Sequence, residues 1–165
     1  MGGFTITSWS VAVLAGMTCG VAHAEPPAPP MHDQVSTING VVPTGVLAPL
    51  QEVSTMLDTI DANGERLVVF GGLRKAGTRA PIHIHAYGGV TCVLTGTMTD
   101  FVEGHEPMVF PAGTCYYMPP NTPMAAANLG TEDVRITDTF TVPRDAPTID
   151  VIEPAWSDPN PNDAG

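Results

Sequence analysis

The chain has 165 residues and a formal charge of −11, with 17 acidic side chains against six lysines and arginines. That balance argues against nucleic acid and anionic membrane surfaces as partners, because both are held by basic patches. The length suits one domain around one core.

Residues 1–24 contain no Asp, Glu, Lys or Arg and end in Ala22-His23-Ala24, a small-x-small cleavage pattern. The apolar stretch from Trp9 to Gly16 is shorter than the roughly 20 residues that cross a bilayer. The segment therefore reads as a secretory signal peptide, although no Lys or Arg precedes its apolar stretch. Cleavage leaves 141 residues starting at Glu25, in the periplasm or outside the cell. Gly16-Met17-Thr18 before Cys19 does not resemble a lipoprotein box, so no membrane anchor is expected. Cys92 and Cys115 survive cleavage, an even number in a compartment that permits disulfides.

Residues 25–39 form a flexible leader whose first part carries Pro26, Pro27, Pro29 and Pro30, with His32 solvated among them. Residues 40–156 form the domain, and 157–165 read as a polar, disordered tail. Between these ends no stretch keeps a helical period beyond two turns, except a short candidate helix around Gln51–Ile60. Strands are expected over 66–73, 79–86, 90–94, 98–102, 108–110, 114–118, 124–128 and 134–142. Their separators are turn chemistry, among them Asn63-Gly64, Gly88-Gly89, Pro111-Ala112-Gly113 and Pro119-Pro120-Asn121. Many short strands punctuated in this way predict an all-β, single-domain sandwich or jelly roll.

His83 and His85 stand two apart, so a strand puts both imidazoles on one face, ready to grip one cation. Arg79 shares their parity, next to Arg74 and Lys75; an anionic ligand would be steered there, and ordinary pairing with surface carboxylates is the plainer reading. Tyr87 continues the inward parity if the strand persists past Ala86, and the Gly88-Gly89 turn competes with that. Tyr116 and Tyr117 must face opposite sides, one of them into the core. His105, in Glu103-Gly104-His105-Glu106, sits at a hairpin tip and is not counted as a ligand.

The spacing from Gly77 through His83, His85 and Gly96 resembles the first motif of the cupin superfamily. Gly113, Pro119 and Asn128 fall on the frame of its second motif, and the resemblance extends over roughly residues 40–142. It implies a cupin-type jelly-roll β-barrel with a metal ion held by three His and one Glu. Here the Glu place falls on Gly89 or Val90, and the third His is Met124. The metal set that the resemblance leaves is His83, His85 and Met124. Imidazole and thioether suit copper, Cu(I) above all, with iron next. Two neutral His and a Met would not neutralise a divalent ion, which favours Cu(I) or a site completed by an anionic substrate. Met is also a common filler of apolar space, so a metal-free pocket stays open.

The resemblance implies a dioxygenase-type oxidoreductase acting on a small organic molecule, with Tyr87 or Arg79 orienting it. The other reading is a non-catalytic cupin that binds copper or a small ligand. The resemblance also implies pairing as a homodimer through edge strands. It sets the strand that carries Cys92 beside the one that carries Cys115, within disulfide reach.

Overall fold

The structure is a computed structural model that describes Gly2, residues 33–154 and Trp156. Apart from Gly2, the expected signal peptide lies outside the described residues, as do His32 and the 157–165 tail. Among the described residues twelve strands follow in order: β1 (Val46–Leu47), β2 (Gln51–Ile60), β3 (Arg66–Arg74), β4 (Thr78–Arg79), β5 (His83–Ile84) and β6 (Gly89–Val93). Then come β7 (Thr97–Val102), β8 (Met108–Pro111), β9 (Cys115–Met118), β10 (Met124–Ala127), β11 (Val134–Val142) and β12 (Asp150–Val151).

They form two sheets. One runs β1-β4-β10-β5-β12, with β7 pairing β10 and β8 pairing β7; the other runs β2-β3-β11-β6-β9. Alternation decides which side chains lie between the sheets. On β11, Val134, Ile136, Phe140 and Val142 are buried while Arg135 and Thr141 are exposed. The inward rows of both sheets meet in one apolar cluster that includes Val68, Val93, Met98, Val102 and Ile136. A second cluster, Ile38, Ile82, Ile84, Ala125 and Ile152, covers the other face of the first sheet. Burying such side chains contributes roughly 1.5–3 kcal/mol each.

The segment expected as a helix around Gln51–Ile60 is instead β2, the edge strand beside β3. Two register shifts, between Gln51 and Ser54 and between Thr55 and Leu57, break its alternation, and Glu52 takes a positive φ of 50°. Each bulge inserts a residue and resets which face the next side chain joins. A simple period-2 pattern is therefore missing from the sequence, although Val53, Thr55, Thr59 and Ile60 favour a strand.

The run expected as one strand over 79–86 is divided into β4 and β5. Pro81 has no N–H to give a ladder, and β10 spans the break by pairing Ala127 with Arg79 and Met124 with His83. Three steps on β10 thus face four on the divided strand, so one extra residue is accommodated at Ala80–Ile82. The carboxylate of Glu153 holds this irregular backbone. It accepts two bonds from the Arg79 guanidinium, both 2.7 Å, and one from the Ile82 N–H at 2.8 Å. Arg79 is committed to that ion pair and to the Ala80 carbonyl.

Cys92 and Cys115 are direct cross-strand partners on β6 and β9 and form a disulfide. On β9 Tyr116 is buried and Tyr117 exposed, the opposed pair that alternation requires.

Two expectations follow. Denatured, unreduced protein of residues 25–165 should show no free thiol, and reduction should cost about 3 kcal/mol of stability for a loop of this length. Glu153→Gln should cost about 3 kcal/mol in denaturant unfolding because it strands a buried guanidinium, while Arg79→Met/Glu153→Gln should cost less than the single change. The Arg79 bonds hold the Glu153 carboxyl below its usual range. The stability it contributes is therefore complete above about pH 4.5 and is lost as pH falls through the lowered native value.

Candidate functional site

A cavity of about 360 Å³ lies between the sheets, and His83, His85 and Met124 line it. β5 presents the two imidazoles, whose ring centres are 4.8 Å apart in an edge-on arrangement, and Met124 stands opposite His83 in the β5–β10 register. All three are buried.

The protonation of the imidazoles is set by their partners. His83 Nδ1 lies 2.7 Å from the Pro81 carbonyl and His85 Nδ1 lies 2.6 Å from the Thr148 carbonyl. A carbonyl oxygen only accepts, so each Nδ1 carries the hydrogen and each neutral ring keeps its lone pair on Nε2. Burial, then the neighbouring His85, brings His83 down to about 3, and burial also lowers His85. Both rings are neutral at ordinary pH. His85 Nε2 is buried and has no partner. This is the tautomer and second-nitrogen bonding that metal-holding imidazoles use.

Gly89, one of the two places for the family glutamate, has no room for a side chain. A Cβ there would meet the Phe140 ring at 2.6 and 2.7 Å and Met118 Cε at 2.7 Å. Phe140 itself packs against His85, with ring centres 4.9 Å apart. An aromatic ring thus fills the space beside the imidazoles. Val90, the other place, is exposed and faces away from the cavity. Among the described residues no three His, Cys, Asp or Glu come together as a metal cluster. The donors present fit a soft cation held by two imidazoles, with the Met124 thioether nearby. They do not fit a hard dication that needs carboxylate oxygen.

Tyr87 and Arg79 do not reach this space. Tyr87 is 51% exposed, beyond the end of β5, and Arg79 is turned to Glu153; neither lines the cavity. The chain turns at Ala86-Tyr87, closed by the Gly88 N–H on the His85 carbonyl at 3.2 Å, which ends the inward parity before β6. The other polar lining comes from residues that sequence reasoning did not single out, or placed elsewhere. One inward step along β11 from Phe140 lies Asp138, and one inward step along β10 from Met124 lies Ala126, whose cross-strand partner is Asp100. Two residues of strand span about 7 Å. A carboxyl tier thus lies about 7 Å from the imidazole tier along the strands.

In that tier Asp138, Thr91 and Tyr116 are successive cross-strand neighbours. Thr91 Oγ1 donates to Asp138 Oδ1 at 2.6 Å. Asp100 faces them from the other sheet; it is 1% exposed, and neither of its carboxyl oxygens has a partner. Arg74, also buried, reaches the same cavity, with Nη1 donating to the Ala48 carbonyl at 2.7 Å and Nε unpartnered. Burial, then the charge of Asp138, pushes Asp100 up to about 7; burial pushes Asp138 up to about 6 against the Thr91 bond and the Arg74 charge. Burial also raises the Tyr116 phenol and brings Arg74 down to about 10. A signal for the two acids is present in the sequence. Asp100 sits between Met98 and Val102, and Asp138 between Ile136 and Phe140, each at the inward parity of an otherwise apolar row.

The comparisons with known proteins agree with this architecture. A family model described as a cupin domain matches residues 73–140, a span that contains both histidines, Met124 and both acids. No curated protein matches the chain. A cupin-like protein from Thermotoga maritima is similar in structure at 16% identity, with 61% of this chain and 74% of that one covered and a TM-score of 0.50. A DMSP lyase from Ruegeria pomeroyi is similar at 17% identity, with 64% and 54% covered and a TM-score of 0.51. An oxalate decarboxylase shows 14% identity, 64% and 29% coverage and a TM-score of 0.52. At such identities the likeness is one of fold. The matched family model over residues 73–140, the two facing sheets and the inward His-x-His pair together show that this chain carries a cupin domain with the all-β cupin fold.

Proposed function

We propose that the protein binds a soft metal cation, copper before iron, at His83 and His85, and takes a small organic molecule into the cavity beside it. The observation that carries this reading is the pair of Nδ1–carbonyl bonds, which leave both Nε2 lone pairs free, that of His85 buried and unpartnered. Met124 is the soft third donor of the proposal, supported by its place opposite His83. Two neutral rings and a thioether add no negative charge, which favours a monovalent ion such as Cu(I).

A metal bound there would supply redox chemistry of the dioxygenase type, and the protein would supply the largely apolar walls of the cavity around the ligand. The second reading, a binding protein without turnover, is favoured by Gly89 and Phe140. They leave no carboxylate beside the imidazoles to serve as a base. Both readings share the cavity, and the second includes a form that holds a small ligand without metal. Export belongs to the proposal too and is supported by the Cys92–Cys115 disulfide. Pairing of two copies is supported by the exposed edge strand β2, with Val53, Met56, Leu57 and Ile60 at its surface.

Elemental analysis of residues 25–165, isolated from the periplasm without chelators, tests the site. Near-stoichiometric copper should be present and should be lost in His83→Ala/His85→Ala. No metal after anaerobic reconstitution with Cu(I) would overturn the reading. Met124→His should strengthen Zn(II) binding by about tenfold or more, since it adds a third imidazole opposite His83; unchanged affinity would make Met124 packing alone.

A further inference from the structure

The carboxyl tier is not needed to hold the imidazoles, and it is costly as it stands. Asp100 is fully buried with two unmet acceptor oxygens, and a buried acceptor without a donor costs about 1–3 kcal/mol, more when charged. A cation at the imidazoles, about 7 Å away, would offset charge but supply no hydrogen to these oxygens. The tier holds two carboxyls and one guanidinium, which leaves one formal negative charge when all three are ionised. Arg74 faces Asp138 and draws its charge, but no Arg74 nitrogen bonds to Asp100.

We propose that the tier of Asp100, Asp138 and Tyr116 is the recognition site for the protonated amine of a small organic ligand. This deepens the reading of the cavity as a ligand pocket and rests on that reading. One ammonium nitrogen carries three donors and one positive charge, matching the two free oxygens of Asp100, the second oxygen of Asp138 and the unbalanced charge. The rings of Phe70 and Tyr116 belong to the same cross-strand row and line the cavity, and ring faces attract a desolvated ammonium. Met98, Ile136 and Phe140 provide apolar wall for the ligand's carbon chain. A carboxylate in this place would face both Asp100 and Asp138, with Arg74, the one guanidinium of the tier, already drawn to Asp138, and a neutral alcohol would supply one donor for several acceptors. The spacing of the tiers, about 7 Å, lets a chain of a few carbons carry an amine at one end and a second functional group near His83 and His85 at the other.

The test is calorimetry on residues 25–165 freed of metal with a chelator, titrated separately with n-butylammonium, n-butanol and butyrate. The butylammonium ion should bind, and the alcohol and the carboxylate should bind at least tenfold more weakly, as loss of a charged hydrogen bond implies. Asp100→Asn, an isosteric change, should weaken the ammonium tenfold or more while raising the melting temperature of the ligand-free protein. Asp138→Asn serves as a second variant if Asp100→Asn fails to fold. Equal or tighter binding of butanol or butyrate, no binding of any probe, or unchanged ammonium affinity in the folded Asp variants would overturn the proposal. Because no metal is present, failure here leaves the copper site untouched, and failure of the copper site leaves this result standing.

Discussion

Each of His83 and His85 gives its Nδ1 hydrogen to a backbone carbonyl, Pro81 for one and Thr148 for the other, and these two bonds fix what the interior can hold. Without them the rings would be free to present an N–H to the cavity and would repel a cation there. With them, both rings are neutral and point a lone pair inward. The Pro81 carbonyl is in turn part of the irregular backbone that divides β4 from β5. The Arg79–Glu153 pair, with the Glu153 bond to the Ile82 N–H, holds that backbone in shape. The ion pair therefore acts on the site through geometry, although neither charge touches the cavity.

Desolvation sorts the polar groups of the cavity into two tiers. In the first, polar atoms are satisfied on one side and open on the other, as ligand atoms should be. In the second, Asp100 is left with no protein partner at all, and Asp138 with only the Thr91 hydroxyl. Folding tolerates the second arrangement only at a cost, which is why it points to something bound. The rest of the wall is apolar, with Phe140 and Met118 beside the imidazoles and Ala126 opposite Asp100, so both polar ends adjoin surface suited to carbon.

Much of the fold was legible because strands of this kind announce themselves by alternation and by glycine and proline turns. The inward row of β11 and the opposed tyrosines of β9 follow from period 2, whereas the facing cysteines follow from the strand order that the cupin resemblance implies. What failed was local irregularity. The bulges of β2 erased its alternation and left a helix as the apparent reading, and Pro81 divided a run that looked continuous. The site was legible in part. Two histidines two apart carry a strong signal, whereas acids inside an apolar row show themselves only once strand parity is known. Arg79 had the right parity and the wrong destination, since a long side chain is directed by its partner, Glu153, and not by its strand alone.

The most direct measurement is nitrogen NMR of metal-free residues 25–165 labelled with ¹⁵N-histidine at neutral pH, before and after addition of Cu(I). The account predicts that His83 and His85 both show a protonated Nδ1 and an unprotonated Nε2, and that the two Nε2 signals alone shift strongly on copper binding. Imidazolium rings, Nε2–H tautomers or Nε2 signals indifferent to copper would contradict it.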